Sequence, residues 1–198
     1  MKLIKKITSI LFLAFVVTNL SAQRFKIVEG DLSFLRGETS INVEYAYDGM
    51  SVGKFATEKE YVDSKISDYN SKKPGKGDAW AKAWVADRTT RFQPSFKELF
   101  EQYSGLSVRQ TSKYTLIFKT TSTEPGYNIY ISRKNAEISG EAWLVLTSDK
   151  TKKLAVITVY RSPGRTFGGE DYDSGLRISE AYACAGKKLG KFMKKSIK

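Results

Sequence analysis

The sequence predicts an α+β fold: a mostly antiparallel sheet of about five strands, with helices packed on one side and a C-terminal helix closing the core. Three observations predict it. Two-residue alternation of apolar and polar side chains recurs at both ends of the chain, while helical spacing fills the middle. The order strands, helices, strands, helix is that of segregated α+β domains. Residues 137–147 and 153–161 form the strongest strand pair, in which Trp143-Leu144-Val145-Leu146 faces Leu154-Ala155-Val156-Ile157. Such near-continuous apolar runs imply central strands covered on both faces.

Residues 1–22 read as a leader rather than as fold. Lys2, Lys5 and Lys6 form a positive start, residues 10–17 are apolar, and Leu20-Ser21-Ala22 precedes Gln23 as a cleavage site. The apolar run falls short of the about 20 residues that cross a bilayer. No cysteine lies near the cleavage point, so a lipid-bearing N-terminal cysteine is not expected. Residues 23–198 are then one exported domain, periplasmic or secreted, with no transmembrane segment once the leader is removed. Its length suits a single core.

Residues 24–35 form an edge strand with a break at Gly30. Residues 39–47 alternate, with Ile41, Val43, Tyr45 and Tyr47 on one face. Thr57-x-x-Glu60 is a capping box that opens a helix with Val62, Ile66 and Tyr69 on its apolar side. A basic turn, Lys72-Lys73-Pro74-Gly75-Lys76-Gly77, leads to Asp78, which caps a second helix. That helix buries Trp80, Ala81, Trp84 and Val85, continuing to Phe92. Pro94 suits the first turn of a third helix, and Gly105 its left-handed end. Strands resume at 113–121, where Tyr114, Leu116 and Phe118 oppose Thr115, Ile117 and Lys119, with a short strand at 127–132. The hairpin turn of the strongest pair is Ser148-Asp149-Lys150-Thr151, and Pro163-Gly164 ends its second strand. Residues 173–197 form the closing helix, seated on the Trp143 and Val156 hairpin through the small residues of 181–190.

Composition narrows the chemistry. The chain has no histidine and one cysteine, Cys184. Serine or cysteine triads that rely on an imidazole base are excluded, as is an internal disulfide. Cys184, set among alanines in the closing helix, reads as a buried structural thiol. Zinc lacks its usual donors, and no cofactor is expected. The net charge of +12 favours anionic partners. Export argues against nucleic acid, leaving another envelope protein or an anionic surface.

Four sets of residues are candidates for function. Lys76 in its glycine-bearing turn, with Lys187, Lys188, Lys191, Lys194 and Lys195 on the closing helix, would bind anions. The helix is basic and amphipathic, as in peripheral contact with a membrane surface, although lysines that complement the helix dipole at a solvated C-terminus, with the apolar stripe buried, explain the pattern better. Glu170, Asp171 and Asp173 begin a calcium-loop pattern, D-x-D-x-G, but Gly175 and Tyr182 stand where that pattern needs ligands. Capping by Asp173 or Ser174 explains the cluster better. Glu137, Glu141, Asp149 and the acidic loop supply carboxylates for glycoside-type hydrolysis, should two converge. Trp80, Trp84, Trp143 and the tyrosines offer a sugar-binding face, but their periodicity assigns them to the core instead.

The C-terminal stretch GGEDYDSGLRISEAYACAGKKLGKFMKK resembles the closing loop and helix of small exported proteins of Bacteroidetes, and the leader end Ser21-Ala22-Gln23 is similar to theirs. The strand–hairpin–helix ending also resembles envelope domains of the curli-secretion accessory type. The resemblance covers the last third of the chain and implies envelope localisation; it carries no functional residues. The expectation is therefore an exported, envelope-associated, non-enzymatic binding or accessory domain. A hydrolase of anionic or glycan substrates and a peripheral membrane-binding protein are the alternatives.

Overall fold

The computed structural model describes residues 25–129, 131–164 and 173–197. The leader, Glu170 and Asp171 lie outside them. Among the described residues, nine strands and four helices follow one another in the expected order. They are β1 Phe25–Gly30, β2 Ser40–Ala46, β3 Ser51–Val52, α1 Glu58–Asn70, α2 Lys76–Asp87, α3 Gln93–Ser104, β4 Ser107–Val108, β5 Tyr114–Glu124, β6 Tyr127–Asn128, β7 Arg133–Lys134, β8 Ala136–Leu146, β9 Asp149–Gly164 and α4 Ser174–Ser196. A 3-10 turn at Ser33–Leu35 follows β1, and a π turn at Arg88–Phe92 joins α2 to α3.

The fold is α+β, but its sheet is mixed and seven-stranded rather than mostly antiparallel with about five strands. The order is β1-β9-β8-β5-β2-β4, with β3 also on β5. The pairs β1–β9, β9–β8 and β8–β5 are antiparallel. The pairs β5–β2, β2–β4 and β3–β5 are parallel. The cause is topological. Between β2 and β5 the chain passes through all of α1, α2 and α3, so it re-enters the sheet from the end at which β2 began, and such a crossover yields parallel neighbours. The two-residue strands β3 and β4 are too short to carry any alternation.

Local signals are realised where the chemistry is local. Thr57 accepts from the Glu60 amide at 3.2 Å while the Glu60 carboxylate returns to the Thr57 N–H, completing the capping box of α1. Pro94 stands in the first turn of α3, and Gly105 closes that helix at φ 78°. Other expectations give way to packing. Asp78 does not cap α2; Gly75, at φ 78°, does, and Asp78 sits in the first turn accepting from Asn70. Val85 is 53% exposed, because α2 turns only Trp84 and Gly77 fully inward. On α1 the buried residue is Tyr61, with Val62 only partly covered and packed against the core. The β8–β9 turn is tighter than expected, since Asp149 already pairs with Leu146.

The core lies between the inner face of the sheet and α3 and α4. Leu116, Phe118, Ala142, Leu144, Ala155 and Ile157 meet Phe96, Phe100, Ile178, Ala181, Ala185 and Leu189 there. Val145 and Val156 are equally buried but stand apart from that cluster. They belong to the outer face, where no helix among the described residues lies over them; Trp143 covers that side, with Lys153 Nζ 3.8 Å and Lys119 Nζ 5.2 Å from its ring centre. Lysine stems thus shield apolar surface while their heads stay wet. The expectation of a hairpin covered on both faces holds only in part: the described helices pack on one face, and on the other Val145 and Val156 are buried while Trp143 is only partly covered. It also follows that α4 is not seated on Trp143 and Val156, which point the other way.

The small residues of α4 serve its contact with α3. A Cβ on Gly186 would collide with the Phe96 carbonyl oxygen, and one on Gly190 would lie 2.8 Å from the Ser104 nitrogen. Ala181 and Ala185 are fully buried beside them. Tyr182 completes the seat, stacked on Phe92 with ring centres 5.1 Å apart and hydrogen-bonded to Thr120 at 2.6 Å. Replacing Ala185 by Leu should overpack this interface and cost about 1–3 kcal/mol in urea unfolding. Stability equal to that of the parent chain would contradict the packing described.

Candidate functional site

The lysine end of α4 is brought together with α3. Lys187 and Lys191 both stand over the Tyr103 ring, at 5.0 and 4.7 Å from its centre. Gln102, Tyr103, Lys191, Lys194 and Lys195 line a shallow depression of about 330 Å³. Lys188 lies on the same turn and is half-buried. None of these lysines has an acidic partner among the described residues, whereas Lys59, Lys119, Lys134 and Lys150 all do. The other face of the helix, including Ile178, Tyr182, Leu189 and Met193, is buried against the protein. Lys76 does not join this group. It begins α2 and sits over Tyr69 at 5.4 Å.

Asp173 is a cap. Its carboxylate accepts from the Gly175 amide at 2.8 Å and the Leu176 amide at 3.4 Å, and pairs with Arg91, which also bridges to Asp87. Burial pushes the Asp173 carboxyl up, yet the hydrogen bonds from Arg91 and Gly175 outweigh it and hold the group below the ordinary carboxylate value. Asp87 moves the other way: burial raises it, against the pull of Arg91. Among the described residues no group of three or more His, Cys, Asp or Glu is placed to hold a metal ion.

The other carboxylates that the sequence offered for hydrolysis, Glu137, Glu141 and Asp149, are individually engaged. Glu137 accepts from two of the three guanidinium nitrogens of Arg161, Nε at 2.5 Å and Nη2 at 3.1 Å. Glu141 accepts from the Trp143 indole at 2.7 Å, and Asp149 caps its own turn through Thr151. Trp80 and Trp84 stack at 5.6 Å beside Tyr61, with the Trp84 indole donating to Glu58 at 2.6 Å. Glu58 is also paired with Arg88. The three tryptophans therefore occupy two faces of the molecule and form no common platform. Cys184 is half-buried on the flank of the α4 stripe rather than enclosed within it.

One concavity was not legible in the sequence. A cleft of about 650 Å³ opens along β2, walled by Val43, Tyr45, Gln93, Pro94, Lys97 and Val108, with Asn42, Glu44, Thr147 and Lys150 on its outer side. Its residues come from four separated stretches, joined only by the crossover. The Tyr45 hydroxyl donates to the Gln93 carbonyl at 3.1 Å, tying β2 to the start of α3. Asn42 donates to Glu44 and Thr115, and Lys150 holds Glu44 at 2.7 and 2.9 Å.

No family model, curated protein or solved structure matches the chain.

Asp173→Ala should lower stability by about 1 kcal/mol through loss of the cap. The sign of its pH dependence follows from the depressed carboxyl. The contribution is complete above the unfolded-state value near 4 and fades as pH falls through the lower folded-state value. Denaturant midpoints for parent and variant should therefore differ at pH 6 and converge in the acid range below about 4. A gap that widens on acidification would refute the assignment.

Proposed function

We propose that this chain is an exported, envelope-associated binding domain without catalytic chemistry, and that it docks on an anionic surface through the lysine end of α4. One observation carries the reading: five lysines, Lys187, Lys188, Lys191, Lys194 and Lys195, share one helix end with no acid to neutralise any of them among the described residues. Several like charges gathered on one helix end repel one another and are relieved by an external anion. Because the apolar stripe of α4 is already buried against the protein, the contact is electrostatic rather than insertive. The aromatic ring of Tyr103 lies beneath the ammonium groups of Lys187 and Lys191, which restrains both side chains and lowers the entropy lost on docking. The leader-like N-terminus and the resemblance of the C-terminal third to exported Bacteroidetes proteins support the envelope as the place of action.

Each lysine near an anionic headgroup layer contributes about 1 kcal/mol. The chain should co-sediment with phosphatidylglycerol-containing vesicles at low salt and be released as salt approaches about 0.5 M, where screening is strong. Replacing Lys191, Lys194 and Lys195 together by Ala should weaken that binding about a hundredfold, at the headgroup value just given. Equal binding to neutral phosphatidylcholine vesicles, or an unaffected triple variant, would overturn the proposal.

A further inference from the structure

We propose that the free edge of β2 is a second binding site, one that takes an extended segment of a partner protein as an added strand. The main chain makes the first argument. β4 occupies the lane beside β2 only at Ser40 and Ile41. There the Ser107 amide donates to the Thr39 carbonyl and the Arg109 amide to the Ile41 carbonyl, both at 3.0 Å. In a parallel pair, alternate residues serve one neighbour, so residues 39 and 41 face β4 while Asn42, Glu44 and Ala46 face β5. By the same period Val43 and Tyr45 turn their N–H and C=O groups outward. Beyond Val108 the chain turns away, and no strand occupies that lane among the described residues.

The cleft lies along this vacant stretch. From Asn42 to Ala46 the edge runs about 13 Å at the strand rise, the length of a short added strand. The start of α3 forms the opposite wall, so an incoming segment would lie between a strand edge and a helix. Val43, Pro94 and Val108 offer apolar contact to side chains on its inner face, and Asn42, Glu44 and Thr147 offer polar contact on its outer face. Alternation of side chains over a main-chain ladder is how strand addition combines affinity with specificity.

Protection of sheet edges supplies the second argument. Exposed edges are ordinarily blunted by bulges, charges or proline. At the opposite end of the sheet β1 is blunted: its pairing with β9 is broken between Ile27 and Glu29, and Gly30 leaves the strand at φ 66°. β2, of sequence SINVEYA, has no bulge and no proline, and its one charge, Glu44, is held by Lys150. An edge left regular over such a length suits pairing.

Charge selects the occupant. Glu44 and Lys150 neutralise each other, whereas Lys97 is exposed on the helix wall with no ion-pair partner among the described residues. The cleft therefore carries one uncompensated positive charge. The segment it fits is an alternating, β-prone stretch bearing an aspartate or glutamate on the side facing α3.

The test pans a library of random nine-residue peptides against the full chain, then follows amide hydrogen exchange. Enriched peptides should alternate apolar and polar residues and carry an acid. Their binding should slow exchange at Val43 and Tyr45 at least tenfold while leaving Ile157 in the core unchanged. Lys97→Glu should weaken the same peptides about tenfold, and Lys191→Ala should leave them unaffected, which separates this site from the lysine end of α4. Protection mapped to other amides, or full binding by the Lys97→Glu chain, would overturn the proposal, as would a library yielding no binder. Protection of Val43 and Tyr45 that rises with protein concentration in the absence of peptide would also overturn it, by showing the occupant to be a second copy of the chain.

Discussion

The close approach of α4 to α3 is the contact on which the rest of the molecule depends. Gly186 and Gly190 let the two backbones meet where any side chain would collide with Phe96 and Ser104. That approach sets the depth of the helix layer above the sheet. A second contact fixes its direction. Gly164, at the end of β9, lies directly under the Arg177 carbonyl, Ser162 donates to the Ala181 carbonyl at 3.0 Å, and the Arg177 guanidinium donates to the carbonyls of Pro125 and Gly126. A helix pinned at its first half by the sheet and at its second half by another helix has little freedom to shift. Tyr182, between the two, is sealed so thoroughly that burial drives its hydroxyl far above the ordinary tyrosine value.

Both proposed surfaces inherit their shape from that arrangement. Because α3 is held by α4, its first turn stands at a fixed distance from β2, and the gap between them persists as a cleft rather than collapsing. Because α4 turns its small and apolar residues, Met193 included, toward the protein, the exposed side of its last two turns is left to Lys191, Lys194 and Lys195. The Tyr103 ring, at the far end of α3, then meets Lys187 and Lys191. The neutral middle of α4 and its charged end are thus two consequences of one amphipathic pattern.

What was legible in the sequence was what neighbouring residues decide. The capping box of Thr57 and Glu60, the left-handed Gly105, the alternation of β5 and the stripe of α4 each depend on residues within a few positions of one another. The parallel pairing of β2 with β5 was not legible, since alternation reveals that a strand has a buried face but not the direction of its neighbour. Nor was the facing of the β8–β9 hairpin. Trp143 and Leu144 are both apolar, and only the placement of the helices decides which one looks inward. Asp78 had the chemistry of a cap, yet Gly77 packs so tightly on the Ile66 backbone that the helix has to begin earlier. The lysine site was visible as composition. The β2 cleft was not, because Val43, Pro94, Lys97 and Val108 share no local pattern and meet only once the sheet is assembled.

The crossover that makes the sheet mixed also sets an order of assembly. Asn42 reaches its hydrogen-bond partner Thr115 across 73 positions of chain, whereas β8 and β9 are joined by a turn of two residues. Closing the long loop costs entropy that local pairing does not. The hairpin and the three helices have contacts of their own to gain early, while β2 can enter its lane only when β5 and α3 are already in place. β2 is therefore the strand whose edge stays unpaired longest during folding, and a folding chain would present that edge to its surroundings before the rest of the sheet could shelter it.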